Sequence, residues 1–415
     1  MTARVSADEI RSRERSTAGA LILARALRDF GDGFVAVLLP VYLTALGLSA
    51  FHVGVIATAA LLGSALLTLG VGVLGTRHDH RRLLLAASIL MTATGLAFAA
   101  ANDYAVLLAI AFAGTINPSA GSVSVFVPLE HAALARAAAD ADRTKMFARY
   151  SLAGSLAAAA GALAAASPEL LAAFGIGKLA ALKSMFVAYA GLGLASGSIY
   201  TRIPLQPPPA HSNETAALGP SRGIVYRLAA LFGIDAFAGG FMVQSLLALW
   251  LFQRFDMSLT AASLFFFWSG LLAAGSFPVA AWLARRIGLV NTMVYTHIPS
   301  SFCLILAVFA PSLEIALVLL SVRAALSQMD VPTRSSYVMA VVTPAERPAA
   351  ASVTAVPRTL AAAASPALAG ALFAAGLQIW PFVICGGLKI AYDLLLLYAF
   401  RHLKPPEELL VGHKN

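Results

Sequence analysis

The chain has 415 residues, 59% of them hydrophobic and 12% charged, with a mean hydropathy of +0.81. That composition excludes an ordinary soluble globule and reads as a polytopic membrane protein. The net charge of +9 comes from Arg and Lys spread over short loops, without the concentrated basic face that nucleic-acid binding needs, so that partner is excluded as well.

Residues 1–20 hold Arg4, Arg11, Arg13 and Arg15 among acidic residues and have no apolar core. They read as a cytoplasmic N-terminal segment, not as a cleavable signal peptide. Apolar runs of about 20 residues, the length that crosses a bilayer, are predicted near 21–45, 51–74, 83–101, 105–128, 146–166 and 179–200. Six more are predicted near 226–251, 259–283, 289–310, 314–339, 350–375 and 378–400. Between the two sets lies a stretch rich in prolines and polar residues that cannot pack as a helix in lipid. The predicted organisation is therefore a six-helix bundle over 21–201, a linker over 202–225, a second bundle over 226–400 and a tail over 401–415.

Loop charge orients the spans. Arg77, Arg81, Arg82, Arg136, Arg143, Lys145, Arg285, Arg286, Arg347, Arg401 and Lys404 fall on one side, whereas the other carries chiefly Lys178, Lys183 and Arg254. The positive-inside tendency then places both termini and the linker in the cytoplasm of a cell (inner or plasma) membrane protein. Cys303 and Cys385 lie inside apolar runs and imply neither a disulfide nor a zinc framework.

A charge at bilayer depth is costly unless paired or hydrated, so each one in a span is a candidate functional group. Span 1 carries Arg25, Arg28, Asp29 and Asp32, and the i,i+4 spacing lets Arg25 pair with Asp29 and Arg28 with Asp32. Two readings stand: structural pairing near the cytoplasmic end, or a proton-coupling role for Asp32, the deepest of the four. In span 4, Thr115, Asn117 and Pro118 form a polar face with a mid-span proline. Asn117 is there a substrate contact, or the segment is simply a kink with its polar groups bonded to their own helix. Asp235 in span 7 has no basic residue three or four places away, and counting helical rise from opposite faces predicts a partner in Arg323 of span 10. Lys389 and Asp393, again i,i+4, are assigned to structure, and His297 reads as a hydrogen-bonded lipid-side or packing residue rather than a proton relay.

His78, Asp79 and His80 are adjacent and cannot converge on a metal, so no metal site is expected. The phosphate-loop, serine-elbow and zinc-protease patterns are missing too. The expectation is no enzyme and no cofactor.

The two halves are related in sequence. The basic turn at 72–82 has a counterpart at 281–288, with Leu74 falling on Leu283 and Arg77 on Arg286; the same offset carries Ser49 onto Ser258, Arg149 onto Arg358 and Gly161 onto Gly370. The turn resembles the signature of the major facilitator superfamily, a Gly-x-Leu-Ala-Asp-Arg-x-Gly-Arg-Arg element between spans 2 and 3 with a weaker echo between spans 8 and 9. Thr76 stands where that pattern has Asp, Asp79 where it has Gly, and Arg285 replaces the acidic residue of the second copy.

The resemblance implies an all-α membrane protein, twelve transmembrane helices in two pseudo-symmetric six-helix bundles. Spans 1, 4, 7 and 10 would line a central cavity, and spans 3, 6, 9 and 12 would face lipid. Gly154 and Gly161 of span 5, with Ser365, Pro366 and Gly370 of span 11, loosely resemble the antiporter signature of drug:proton exchangers. Arg77, Glu130, Arg149, Arg286, Glu346 and Arg358 are expected to form a cytoplasmic gate that closes the two halves when the cavity faces outward. Glu130, just after Pro128, resembles the Pro-Glu-Ser-Arg-type element of sugar transporters.

The functional expectation is a monomeric secondary active transporter working by alternating access, with proton-coupled efflux of a small organic molecule as the first reading. The alternatives are an importer or facilitator of the same fold, or a non-transporting receptor or sensor, which would be expected to carry an added soluble domain.

Overall fold

A computed structural model describes residues 7–74, 78–119, 124–137, 143–204, 218–343 and 346–403. The first half contains α1 (Ala7–Ala45), α2 (Ala50–Leu74), α3 (His80–Ala100), α4 (Tyr104–Ala113), α5 (Phe126–Ala137), α6 (Arg143–Ala164), α7 (Ser167–Ala173) and α8 (Lys178–Tyr200). The second contains α9 (Arg222–Gly240), α10 (Gln244–Phe255), α11 (Leu259–Ile287), α12 (Leu289–Val308), α13 (Leu313–Ser327), α14 (Asp330–Ala340), α15 (Arg347–Ala374) and α16 (Trp380–Phe400). Among the described residues, nine stretches are long and apolar enough to cross a bilayer. With α1, the α4–α5 pair and α15 they make twelve spans in two bundles of six. The first helix begins at Ala7, so it reaches back into the segment expected as a lead-in.

Three spans are interrupted, each by local chemistry. Between α4 and α5 the chain leaves the helix at Gly114, and Pro118 can donate no helical hydrogen bond. The Asn117 carboxamide oxygen instead accepts from the Ser119 amide at 3.0 Å and the Ser119 hydroxyl at 2.8 Å. Between α9 and α10 the break follows Gly239 and Gly240, and Gly240 lies so close to Ser365 and the Ala362 carbonyl that no Cβ would fit. Between α13 and α14, Gln328 and Met329 turn the chain and Pro332 sits in the first turn of α14, where its missing N–H costs nothing.

The repeat seen in the sequence reappears in the helices. Ala50 and Leu259, His80 and Leu289, and Tyr104 and Leu313 begin equivalent helices at the offset that relates Leu74 to Leu283. Packing follows suit: α1 lies on α6 and α8 as α9 lies on α15 and α16, and α3 packs on α8 as α12 packs on α16. Asp79, the residue that departs from the superfamily turn, caps α3 by accepting from the Arg81 amide at 2.8 Å and the Arg82 amide at 3.3 Å.

The halves meet through α2 against α15 and α6 against α11. Gly54 and Gly370 cross main chain to main chain, a Cβ on Gly54 falling 2.9 Å from the Gly370 Cα. The Ala367 amide donates to Thr58 Oγ1 at 2.9 Å, and the Ser245 amide to the Pro118 carbonyl at 3.0 Å. At the end opposite the basic turns, Glu169 of α7 caps the start of α11 in the other half. Its carboxylate accepts from the Leu259 amide at 2.8 Å, the Thr260 amide at 2.9 Å and the Thr260 hydroxyl.

Candidate functional site

Each half encloses one buried ionic cluster. In the first, α1 supplies Arg25, Arg28, Asp29 and Asp32, all on the turns that face α5, α6, α8 and the α4–α5 break. Arg25 Nε pairs with Asp29 at 2.6 Å, and Gly154 of α6 leaves the space that pair occupies, since a Cβ there would run into it. Arg28 is 2% exposed and Glu130 of α5 is fully enclosed, so their ion pair lies out of water altogether. Tyr150 and Tyr200 each donate to Glu130 at 2.5 Å, the Arg28 Nε donates to Tyr200 at 3.1 Å, and the guanidinium lies 4.1 Å from the Phe126 ring centroid. One carboxylate thus accepts from a guanidinium and two phenols, which satisfies its charge without solvent.

Asp32 is the exception. It is 6% exposed, and among the described residues it has no ion pair. Among the described residues its hydrogen bonds are long, from the Asn117 amide at 3.5 Å and the Tyr189 hydroxyl at 3.5 Å. Tyr189 also lies 3.0 Å from the Thr115 carbonyl, so its single proton is divided between two acceptors.

The second cluster centres on Asp235 of α9. Lys389 of α16 donates to it at 2.6 Å and Arg334 of α14 at 2.9 Å; Arg334 also pairs with Asp330 at 3.2 Å, one turn back on its own helix. His297 of α12 completes the group. Its Nδ1 lies 3.0 and 3.1 Å from the two oxygens of Asp393, while its Nε2 is 3.3 Å from Lys389 Nζ and 3.8 Å from Asp235.

A model of the major facilitator superfamily matches residues 21–322 and again 229–414. The chain belongs to the major facilitator superfamily. Among solved structures, a bacterial homolog of the human lysosomal transporter Spinster, inward-facing and occupied, aligns with a TM-score of 0.72 at 15% identity over 93% of this chain and 97% of that one. The nucleoside transporter NupG gives a TM-score of 0.70 at 14% identity over 93% and 99% of the two chains. The chain is also 23% identical over 411 residues to the uncharacterized membrane protein YJR124C of Saccharomyces cerevisiae, covering 90% of this chain and 92% of that protein. These are transporters or membrane proteins by name, and the superfamily fold makes this chain a membrane transporter rather than an enzyme.

Several expected pairings are corrected by the packing. Arg28 does not hold Asp32; it turns to Glu130, a carboxylate that also has two tyrosines to share it with. Asp235 does not face Arg323. The helical-rise count assumed one continuous span 10, but the break at Gln328 and Met329 swings α14 so that Arg334 reaches Asp235. Arg323 lies on α13 beside Cys303 and Cys385 instead, and among the described residues has no acidic partner. Lys389 and Asp393 do not pair with each other, because each has a shorter reach to a neighbouring helix, to Asp235 and His297 respectively. His297 is therefore part of an ionic cluster and not a packing residue.

The expected cytoplasmic gate is not assembled in this conformation. Arg77 lies outside the described residues. Arg149 and Arg286 are exposed, Arg286 resting 4.7 Å over the Trp282 ring. Glu130 is committed to Arg28, and Glu346 accepts from Ser221, Thr343 and the Gly219 amide, so neither carboxylate is turned toward the other half. Arg358 is half-buried, its Nε without a hydrogen-bond acceptor. Among the described residues each ion pair joins helices of the same half.

Sequence reasoning missed Tyr150, Tyr189, Tyr200, Asp330 and Arg334. A signal existed for the last two: Asp330 and Arg334 stand at i,i+4 inside the apolar run 314–339, the same spacing that drew attention to Arg25 and Asp29. The tyrosines left none, since a lone Tyr in an apolar run is ordinary in membrane helices.

Proposed function

We propose that the chain is a proton-coupled secondary transporter that moves a small organic molecule by alternating access, outward across a cell membrane, with Asp32 as the coupling carboxylate. The observation that carries the coupling is the isolation of Asp32. Asp29, Glu130, Asp235, Asp330 and Asp393 each have a cationic or imidazole partner within ion-pair distance, and Asp32 has none among the described residues. A coupling group must gain and lose a proton once per cycle. A carboxylate clamped by a guanidinium would have to break that pair at every turnover, whereas Asp32 has only two long hydrogen bonds to rearrange. Asn117, on the broken part of span 4, links Asp32 to the segment best placed to touch substrate, so a bound molecule that pulls on Asn117 also disturbs the carboxylate.

The basic loop ends are taken as cytoplasmic, with the halves joined at the opposite end by Gly54, Gly370 and Glu169. On that reading the described conformation is inward-facing, and Arg149, Arg286 and Arg358 approach the other half only when the basic end closes.

In proteoliposomes with an imposed pH gradient, Asp32→Asn should keep exchange of substrate between the two sides and lose gradient-driven accumulation. Accumulation at the unmutated level would remove Asp32 from the mechanism. Running the same vesicles with the gradient reversed separates efflux from uptake.

A further inference from the structure

The geometry around His297 assigns hydrogen positions by donor accounting. Lys389 Nζ, as an ammonium, can only donate, and it lies 3.3 Å from His297 Nε2. Nε2 must then be the unprotonated, accepting nitrogen. The ring proton sits on Nδ1, where Asp393 accepts it at 3.0 Å. The imidazole is neutral in this arrangement, and Lys389 bridges two acceptors, Asp235 at 2.6 Å and His297.

We propose that His297 is a proton-binding site of the second half, and that a proton taken up on Nε2 exchanges the cation at Asp235, imidazolium replacing the Lys389 ammonium. Protonated Nε2 can no longer accept from Lys389 and carries a charge that repels it. The nearest acceptor for the new N–H is Asp235 Oδ1, already only 3.8 Å away. Arg334 stays in place, because Asp330 holds it from behind at 3.2 Å. Among the described residues Lys389 has no second acidic partner once His297 stops accepting from it. Its stem is flexible and its side chain is 13% exposed. The proton comes from solvent and no covalent bond changes; the outcome is a lysine ammonium released from Asp235 and able to meet an anionic group such as a carboxylate.

The charges that face the imidazole support an exchange rather than simple neutralisation. From α16 come Lys389, Asp393 and the Tyr392 ring, 6.1 Å from the imidazole centroid; from α9 comes Asp235; from α14 come Arg334 and Asp330, reaching it through Asp235. On the α13 side the Ser300 hydroxyl of α12 donates to the Arg323 carbonyl at 3.4 Å, and the Arg323 guanidinium adds positive charge beside Cys385, one turn from Lys389. From α15, Arg358 stands near Arg334 and adds positive charge behind it. An added proton therefore enters a cluster where one guanidinium is held by two carboxylates and one ammonium is free to leave.

This proposal rests on the reading of the chain as a proton-coupled transporter, and its test needs no substrate. The full chain, labelled with 15N at histidine and lysine and held in lipid nanodiscs, is examined by solid-state NMR at about pH 8.5 and about pH 5.5, either side of the ordinary imidazole range. The His297 signal is assigned by its loss in His297→Gln, or, should that variant fold poorly, by its dipolar contact to the Asp393 carboxyl in the unmutated chain. The expected result is a neutral ring with its proton on Nδ1 at the high pH, an imidazolium at the low pH, and a Lys389 ammonium signal that shifts together with it. A proton on Nε2 at the high pH, a ring that stays neutral throughout, or a Lys389 signal that ignores the ring would each overturn the exchange. None of these outcomes bears on Asp32, whose role stands or falls on gradient-driven accumulation.

Discussion

The two buried clusters occupy equivalent positions in a repeated fold and solve the same problem in opposite ways. The first half concentrates its charges on a single helix and spends three donors, Arg28, Tyr150 and Tyr200, on one carboxylate, which leaves Asp32 over. The second half distributes its charges over α9, α12, α14 and α16, with Asp235 shared by two cations and Arg334 shared by two acids. One is a tight knot with a single loose end; the other is a chain whose central members, Asp235 and Arg334, each have more than one partner. The lesson is that pseudo-symmetry preserves helix placement and not electrostatics, so that coupling and cation exchange can be divided between halves of common shape.

The comparison breaks most sharply at Arg28. Arg28→Met leaves Glu130 enclosed with only neutral donors, and removing one member of such a pair costs about 3–5 kcal/mol. The thermal transition of the purified protein in detergent should fall more for this change than for any other single substitution discussed here. The redundant cluster predicts a smaller loss. Asp235→Asn should cost about 1–3 kcal/mol, because Arg334 keeps Asp330. Adding Lys389→Met should recover part of that loss in a double-mutant cycle. If Asp235→Asn proves as damaging as Arg28→Met, the second cluster is no more redundant than the first.

A weaker contrast separates the two loop glutamates. Glu169 reaches across to cap α11 of the other half, whereas Glu346 stays within its own, bound to Ser221, Thr343 and Gly219. Glu169→Gln removes a negative charge from a helix N-terminus, worth about 0.3–1 kcal/mol. Spin labels on the two halves at that end should show a larger fraction of separated distances. An unchanged distribution would mean the cap does not hold the halves together. Glu346 should leave the distances unaltered and show itself in acid. The Thr343 and Ser221 hydroxyls and then the backbone amides hold its carboxyl down, to about 2 from an ordinary 4.5. A depressed folded value means that its contribution is complete above about pH 4.5 and fades as pH falls toward about 2. Glu346→Gln should flatten that acid limb of the pH–stability curve; an identical limb would show that the hydrogen bonds do not favour the charged form.

The fold was legible because its signals are long. Apolar runs of span length and a repeated basic turn survive any detail of packing, and the equivalent helix starts at Ala50 and Leu259 follow the offset read between Leu74 and Leu283. The charged residues of the clusters were also visible, since Arg25, Arg28, Asp29, Asp32 and Asp235 are conspicuous in apolar surroundings. Their partners were not. Local spacing offers Asp32 to Arg28, but Glu130 lies 102 residues further on and becomes a neighbour only once α5 packs beside α1. Likewise, depth along an ideal helix offers Arg323 to Asp235, and the break that brings Arg334 there is set by two residues, Gln328 and Met329, that carry no strong turn chemistry. Sequence periodicity describes one helix at a time, and an ionic cluster belongs to several.

The crossing of Gly54 and Gly370 bears on speed. Where two backbones touch with no side chain between them, the halves can roll past one another without a rotamer changing or a knob leaving its hole. Under the proposed alternating access such a contact would serve as a bearing between the halves. The pace of that cycle then falls to what fastens the two ends, and a bulkier residue at Gly54, its Cβ driven against the Pro366 carbonyl oxygen, would have to part the helices themselves.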